Sequence, residues 1–282
     1  MLFILRLNLK YNVMETNVVE IFDNPIDFVE TINNRNFNRY AKTYDRRSSA
    51  REGESCIRFS GTYNYEEANN LFYSGVDANI KQLEKQISLN LNDYEQTKRN
   101  NRKFDYVGGG YSLGRYLANS PACMIRQAKV KREKPTTTII YNCGIDFSTT
   151  TEEAIRVNSV LLSAIKIIEQ KGIKVNLYVV SASILASQNA VLLVKVKDTK
   201  MPINLQTMSY TLIHPSFTRR HFFRWIETKK DIKKIPKGYG FVISNKTLKE
   251  ILPQYNKSKF ISFYDVKKMD LEQTINALCD NA

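Results

Sequence analysis

Histidine, tryptophan and cysteine are scarce in this chain, with two, one and four copies among 282 residues. The cysteines (Cys56, Cys123, Cys143 and Cys279) lie far apart and form no CxxC pair, which argues against a zinc site and suits reduced, cytosolic thiols. No apolar run reaches the ~18–20 residues that a membrane-spanning helix requires, so no membrane partner is expected. The apolar start Met1–Leu7 is interrupted by Arg6 and followed by no small-residue cleavage site. It does not read as a secretory signal, and a natural start at Met14 is the plainer expectation. Glycine-rich phosphate motifs are missing too. Gly108-Gly109-Gly110 fits no GxGxxG spacing and no Gly-Lys-Ser/Thr follows it, so a backbone bend is favoured over a phosphate loop. Acidic residues are in deficit, 28 against 42 basic ones, for a net charge of +14. Such a surplus favours contact with nucleic acid or another polyanion through counterion release. The competing explanation is compositional, since chains rich in Lys, Asn and Ile are basic without binding anything.

What is present is ordinary for a globular protein: 43% apolar and 25% charged residues, with length for one large or two modest domains. Thr136–Tyr141 is β-branched and apolar, Glu152–Gln170 has a helical apolar pattern, and Ile173–Val180 is apolar again after the Lys171-Gly172 stop. This strand–helix–strand unit is the building block of a parallel sheet. Further strands are expected at Val18–Phe22, Ala190–Lys197, Tyr239–Ser244 and Lys259–Tyr264. Helices are expected from Pro25, over Ile80–Leu91, Leu205–Ile213, Phe217–Glu227, Leu248–Leu252 and Leu271–Leu278. Asn64 and Glu67 make a helix start, and Asn33–Arg58 is polar and reads as a long loop. The fold class is therefore α/β, a mainly parallel sheet flanked by helices in three layers over residues 135–282. Residues 1–134 form an irregular, mostly helical region with basic loops.

Ligands of such sheets sit where strands end, which directs attention to the turn Asn142–Thr150. Asp146-x-Ser148-x-Thr150 offers a carboxylate and two hydroxyls, hard oxygen ligands suited to Mg²⁺. The spacing matches the Asp-x-Ser-x-Ser/Thr of von Willebrand factor A-type domains. A turn and helix cap, with Thr150 facing Glu153, accounts for the same residues and is the favoured reading. A cation site would also need a second carboxylate; Asp198 and Asp265 follow strands, and spacing selects neither.

Several blocks resemble an uncharacterised tailed-bacteriophage family. They are Tyr44–Ser49, Phe59–Ala68, Gly75, Val107–Gly110, Arg115–Ala118, Pro121–Met124 and His214-Pro215-Ser216-Phe217 with Arg219-Arg220. The resemblance runs from about Val18 to Tyr264. It implies a phage-encoded protein of the host cytoplasm or virion whose later half is von Willebrand A-like or Rossmann-like, and it implies no activity. Where members carry Asp at the strand end this chain has Asn142, and Gly144 stands where Ser or Thr is usual.

The other candidate surface is Phe217–Lys237. Arg219, Arg220, Arg224, Lys229, Lys230, Lys233, Lys234 and Lys237 surround Phe222, Phe223 and Trp225. Cations hold phosphates while aromatic faces stack on bases. An amphipathic helix with its aromatics in the core explains the same pattern. His214 and His221 share no continuous helix because Pro215 intervenes, and no nucleophile–base arrangement is visible. A non-enzymatic module binding nucleic acid or a viral or host protein is thus expected, with no catalytic residue and no cofactor beyond that Mg²⁺. A metal-dependent hydrolase or phosphoryl-transfer enzyme built on Asp146 is the alternative.

Overall fold

β-branched and apolar runs become strands where both of their faces can be covered. The computed structural model describes residues 16–41, 48–98, 104–105, 110–125, 135–146, 148–185, 188–236 and 239–279. The chain opens with β1 (Thr16–Phe22), α1 (Pro25–Asn34), α2 (Glu54–Ser60), α3 (Tyr65–Ser74) and α4 (Asp77–Lys98). A short β2 (Phe104–Asp105), β3 (Gly110–Tyr111), α5 (Leu113–Leu117) and β4 (Met124–Ile125) follow, with β2-β4-β3 forming a small antiparallel sheet. Then come β5 (Thr136–Asn142), α6 (Thr151–Gln170), β6 (Lys174–Leu185), β7 (Gln188–Lys197) and α7 (Leu205–Met208). The last are α8 (Phe223–Thr228), β8 (Phe241–Val242), α9 (Asn245–Ile251), β9 (Lys259–Ser262), α10 (Phe263–Lys268) and α11 (Leu271–Cys279). Wider π-type turns at Ser209–Ile213 and Phe217–Phe222 flank His214-Pro215, where the proline ends one helical run and a new one starts.

The main sheet runs β1-β7-β6-β5-β9, with β8 added on β6. β1/β7, β5/β6 and β5/β9 are parallel, so the expected α/β class with a mostly parallel sheet holds. β6 and β7 pair antiparallel because residues 186–187, a two-residue link, leave no room for a crossover. Side chains alternate across the strands. Ile139, Tyr141, Val175, Leu177, Leu192 and Val194 enter one large core, whereas Ile140, Val180, Val191 and Leu193 enter a thinner one under α9. Among the described residues no helix is long and apolar enough to cross a membrane.

Two expected strands are shorter than their apolar runs. β8 is reduced to two residues because Tyr239 and Gly240 adopt φ of 61° and 83°, outside the extended region. β9 stops at Ser262, where Ser262 and Asp265 close a reciprocal capping box that starts α10. The stretch expected as one long loop, Asn33–Arg58, carries single helical turns at Arg39–Ala41 and Ser48–Ala50 and the start of α2. Of the glycine run, Gly108 and Gly109 lie outside the described residues, as do most of the basic stretch after Lys98 and Lys237.

The boundary expected at 134/135 does not separate two cores. Val18, Phe28, Val29, Ile32, Phe72, Leu83 and Ile87 share a single cluster with α6 and the sheet. The reason is α6 itself, which is buried over most of its circumference and needs a second layer outside it. β1 is fixed by more than its ladder. The Glu20 carboxylate accepts from Arg35 at 2.9 and 2.6 Å and from Trp225 Nε1 at 2.5 Å, and Lys229 Nζ stands 3.3 Å away. Burial pushes the Glu20 pKa up, but the hydrogen bonds from Arg35 and Trp225 and the nearby cations outweigh it and bring the value to about 2. A carboxylate depressed in the fold contributes stability above its ordinary 4.5 and loses it as pH falls through about 2. Glu20→Gln should therefore lower unfolding free energy at neutral pH by about 1–3 kcal/mol, and flatten the acid limb of stability between those two pH values, as read by denaturant melts.

Candidate functional site

The carboxyl end of β5 is where an α/β sheet ordinarily opens to a ligand. Here it is covered by the chain itself. β6 runs past the end of β5, and β8 pairs with that overhang at Ser183 and Ile184. Asn142 is buried, donating to the Ile243 carbonyl at 2.9 Å and accepting from Gly144 N–H at 3.2 Å. A Cβ on Gly144 would lie 2.6 Å from Val242, so glycine is what permits this close approach. Asn142 and Gly144 thus both serve packing at this strand end.

The Asp146-x-Ser148-x-Thr150 run lies just beyond. Thr150 caps α6, its Oγ1 accepting from Glu153 N–H at 3.2 Å, as the cap reading expects. Asp146 and Ser148 are exposed. Asp198 follows β7, whose antiparallel course places it at the opposite end of the sheet. Asp265 is at the correct end, but its Oδ2 already accepts from Ser262 N–H, Ser262 Oγ and Asn245 Nδ2 at 2.8, 2.7 and 2.9 Å. Among the described residues no three His, Cys, Asp or Glu side chains gather as a metal site.

The basic segment divides into interior and surface. Arg220 is fully buried, and all five of its N–H donors are used. Nε donates to Thr62 Oγ1 at 3.2 Å, one terminal nitrogen to the Ser49 and Arg51 carbonyls at 2.9 and 2.6 Å, and the other to the Thr62 and Tyr63 carbonyls at 2.7 and 3.1 Å. The expectation that Arg220 holds phosphate is corrected: its guanidinium stitches the polar N-terminal stretch to the helices. Lys229 is half-buried between Glu20 and Asp231. Arg224 lies 3.9 Å over the Phe37 ring and 5.4 Å from that of Tyr65. Arg219 stands over Phe59 at 5.1 Å and donates to the Phe59 carbonyl. Lys230, Lys233 and Lys234 remain exposed. Phe222 and Trp225 stack on each other inside the core, as an amphipathic helix requires.

Phe223 faces elsewhere. It stacks on Tyr239 with ring centres 3.9 Å apart at 10°, and Phe59 lies 6.3 Å away at 28°. These rings form one wall of a cavity of about 850 Å³ between the 40–60 stretch and the 220–239 stretch. Arg51 and Lys234 stand at it with Ser48 and Ser55, and among the described residues no acidic side chain lines it. Behind the wall Glu227 is buried, accepting from Ser49 N–H at 3.1 Å and, at close range, from Ser49 Oγ and Tyr239 OH. Burial pushes the Glu227 pKa up, against those hydrogen bonds. The left-handed Tyr239 backbone is costly for an aromatic residue, about 1–2 kcal/mol. It is held from three sides, by the Phe223 stack, by Glu227, and by Ser183 Oγ donating to its carbonyl.

Sequence proximity could not reveal this cavity, because Ser49 meets Glu227 across 178 residues. One signal was available: an aromatic between glycines at 238–240 marks an unusual backbone. A family model described as Domain of unknown function (DUF7192) matches residues 12–277. The chain belongs to the DUF7192 family. No curated protein and no solved structure matches it.

The histidines of this DUF7192 chain are structural in their contacts. His221 is buried, with Nδ1 2.8 Å from Tyr210 OH and Nε2 3.0 Å from Asn69 Oδ1. His214 stacks on Tyr210 at 5.4 Å. Burial lowers His214 to about 4 and His221 to about 3, so both are neutral at pH 7. A histidine depressed in the fold binds protons only on unfolding, so its contribution is complete above 6.5 and lost as pH falls from there towards the folded value. Stability should fall by about 1.4 kcal/mol per pH unit for each histidine across that range. His221→Gln should remove its share of the slope in chemical denaturation at pH 7, 6 and 5. Arg220→Lys keeps the charge but supplies three donors for five acceptors, and should cost about 2–4 kcal/mol in the same measurement.

Proposed function

We propose that this DUF7192 chain is a non-enzymatic binding module that takes single-stranded nucleic acid at the cavity between the 40–60 and 220–239 stretches. The observation that carries the reading is the make-up of that cavity: aromatic rings as a wall, Arg51 and Lys234 at its sides, and no lining carboxylate among the described residues. Lys230 and Lys233, both exposed, continue the cationic surface beyond Lys234. A concave, ring-lined hollow suits an unstacked base, while flexible lysines neutralise the phosphates on either side. A duplex keeps its bases stacked and offers nothing to enter the hollow. The net charge of +14 adds long-range attraction for the same ligand.

Catalysis is the weaker reading because its groups are committed elsewhere. His221 and Glu227 are buried in hydrogen bonds, His214 accepts from Ser216 N–H, and the tip of β5 is occupied by Asn142, Val242 and Ile243. Metal-dependent hydrolysis at Asp146, Ser148 and Thr150 would need a second carboxylate, and Asp265 is spent on its cap. The finer readings, a von Willebrand A-like sheet and a phage protein acting in host cytoplasm or virion, rest on the motif blocks and belong to the same proposal.

The test is salt-titrated binding of labelled single- and double-stranded oligonucleotides. Single strands should bind more tightly, with a steep loss of affinity as salt rises. Exchanging Lys230, Lys233 and Lys234 together for Glu should weaken binding about tenfold or more and reduce the salt slope, with the melting temperature nearly unchanged. Absence of binding to either form at low salt would remove the proposal.

A further inference from the structure

β9 ends the sheet. One of its edges pairs with β5 through Lys259 to Ser262, and among the described residues no strand pairs with the other. An edge strand presents a row of unpaired N–H and C=O groups to whatever lies alongside. What lies alongside is a groove of about 550 Å³, with Phe260 and Ile261 of the strand on its inner side and Met269 and Leu278 from the α10–α11 layer lining it as well. Lys249, Lys257 and Lys259 also line it. Lys249 and Lys257 are exposed, and Lys249 Nζ sits 5.7 Å over the Phe260 ring. Among the described residues the single acidic side chain at the groove is Asp265, whose Oδ2 already accepts three hydrogen bonds.

We infer that this groove takes an extended acidic peptide segment of a partner protein, added as a further strand on β9. Two requirements select that occupant. The edge asks for a polymer of peptide groups at strand spacing, which a nucleic acid lacks. The lysines ask for negative charge, and they repel a second copy of this basic chain. A strand of about four or five residues matches the edge, with alternate side chains turned to the lysines and to the apolar groove lining. Lysines on an edge normally keep it from pairing with any strand; here they close it to neutral and basic segments and admit acidic ones.

The proposal is independent of the nucleic-acid cavity, and its test keeps the two apart. A labelled peptide of about seven residues alternating Glu with Val is titrated into the full chain by fluorescence anisotropy. It should bind, and N-methylation of alternate amides, which leaves the charge and removes the ladder, should weaken it about tenfold or more. Lys249→Glu with Lys257→Glu, both exposed positions, should abolish binding of the Glu peptide and confer binding of the corresponding Lys peptide. The Lys230/Lys233/Lys234 variant should bind the peptide as the parent does. Equal binding of the N-methylated peptide, failure of the Glu peptide to bind, or its displacement by a single-stranded oligonucleotide would each overturn the inference.

Discussion

One planar cation with five donors holds the two halves of this protein in register. Arg220 reaches carbonyls at Ser49, Arg51, Thr62 and Tyr63 and the Thr62 hydroxyl, so every N–H of a buried guanidinium is answered. The bargain is mutual, because those carbonyls belong to a polar stretch with few apolar anchors of its own. The Ser49 and Thr62 carbonyls lie in buried hydrogen bonds and must find a donor, and one rigid fork supplies it while also reaching the Arg51 and Tyr63 carbonyls. Ser216 reinforces the joint by donating to the Ser60 carbonyl and meeting Thr62 Oγ1. The cavity walls inherit their positions from this joint, since Phe59 and Ser60 stand on one side of it and Phe223 on the other.

The excess of basic residues therefore has two uses. Arg220 and Lys197 are interior parts. Lys197 has a fully buried side chain that meets Glu169 at 2.5 Å and donates to the Val175, Asp198 and Met201 carbonyls. Arg35 and Lys229 secure β1 through Glu20. Other cations face water, and a few of them line the two grooves: Arg51 and Lys234 at the aromatic cavity, and Lys249 and Lys257 beside β9. Net charge alone could not have distinguished these groups, because it does not record which cations already have partners.

The elements with strong periodicity were legible from sequence. β5, α6 and the first part of β6 fall where the apolar runs place them, and Asn64 and Thr150 cap their helices as the letters indicate. Local signals set those features, and local signals are what a single sequence carries. Tertiary events were hidden. β1 reads as a lone strand, yet its partner is β7, more than 160 residues on. Tyr239 reads as the start of a strand, yet its left-handed backbone ends the ladder. The basic–aromatic segment contains part of the cavity lining, Arg220, Phe223 and Lys234, but its letters do not sort interior residues from surface ones. Arg220 and Lys230 look alike in sequence, and only their distance from the N-terminal stretch separates a structural cation from a surface one.

The two faces of the sheet are unequally clad. One is covered by helices from both halves of the chain, while the other has α9 and the turn at Pro253–Tyr255 over Ile140, Val180 and Leu193. Thermal opening consequently has a preferred direction. Releasing α9 exposes a modest apolar area, whereas peeling the opposite side means dismantling the main core. The β8 cover over the end of β5 sits on the lightly clad side, its two residues largely exposed. Transient unclasping there would uncover Asn142 and Gly144, the two residues that touch this cover, while the rest of the molecule kept its shape.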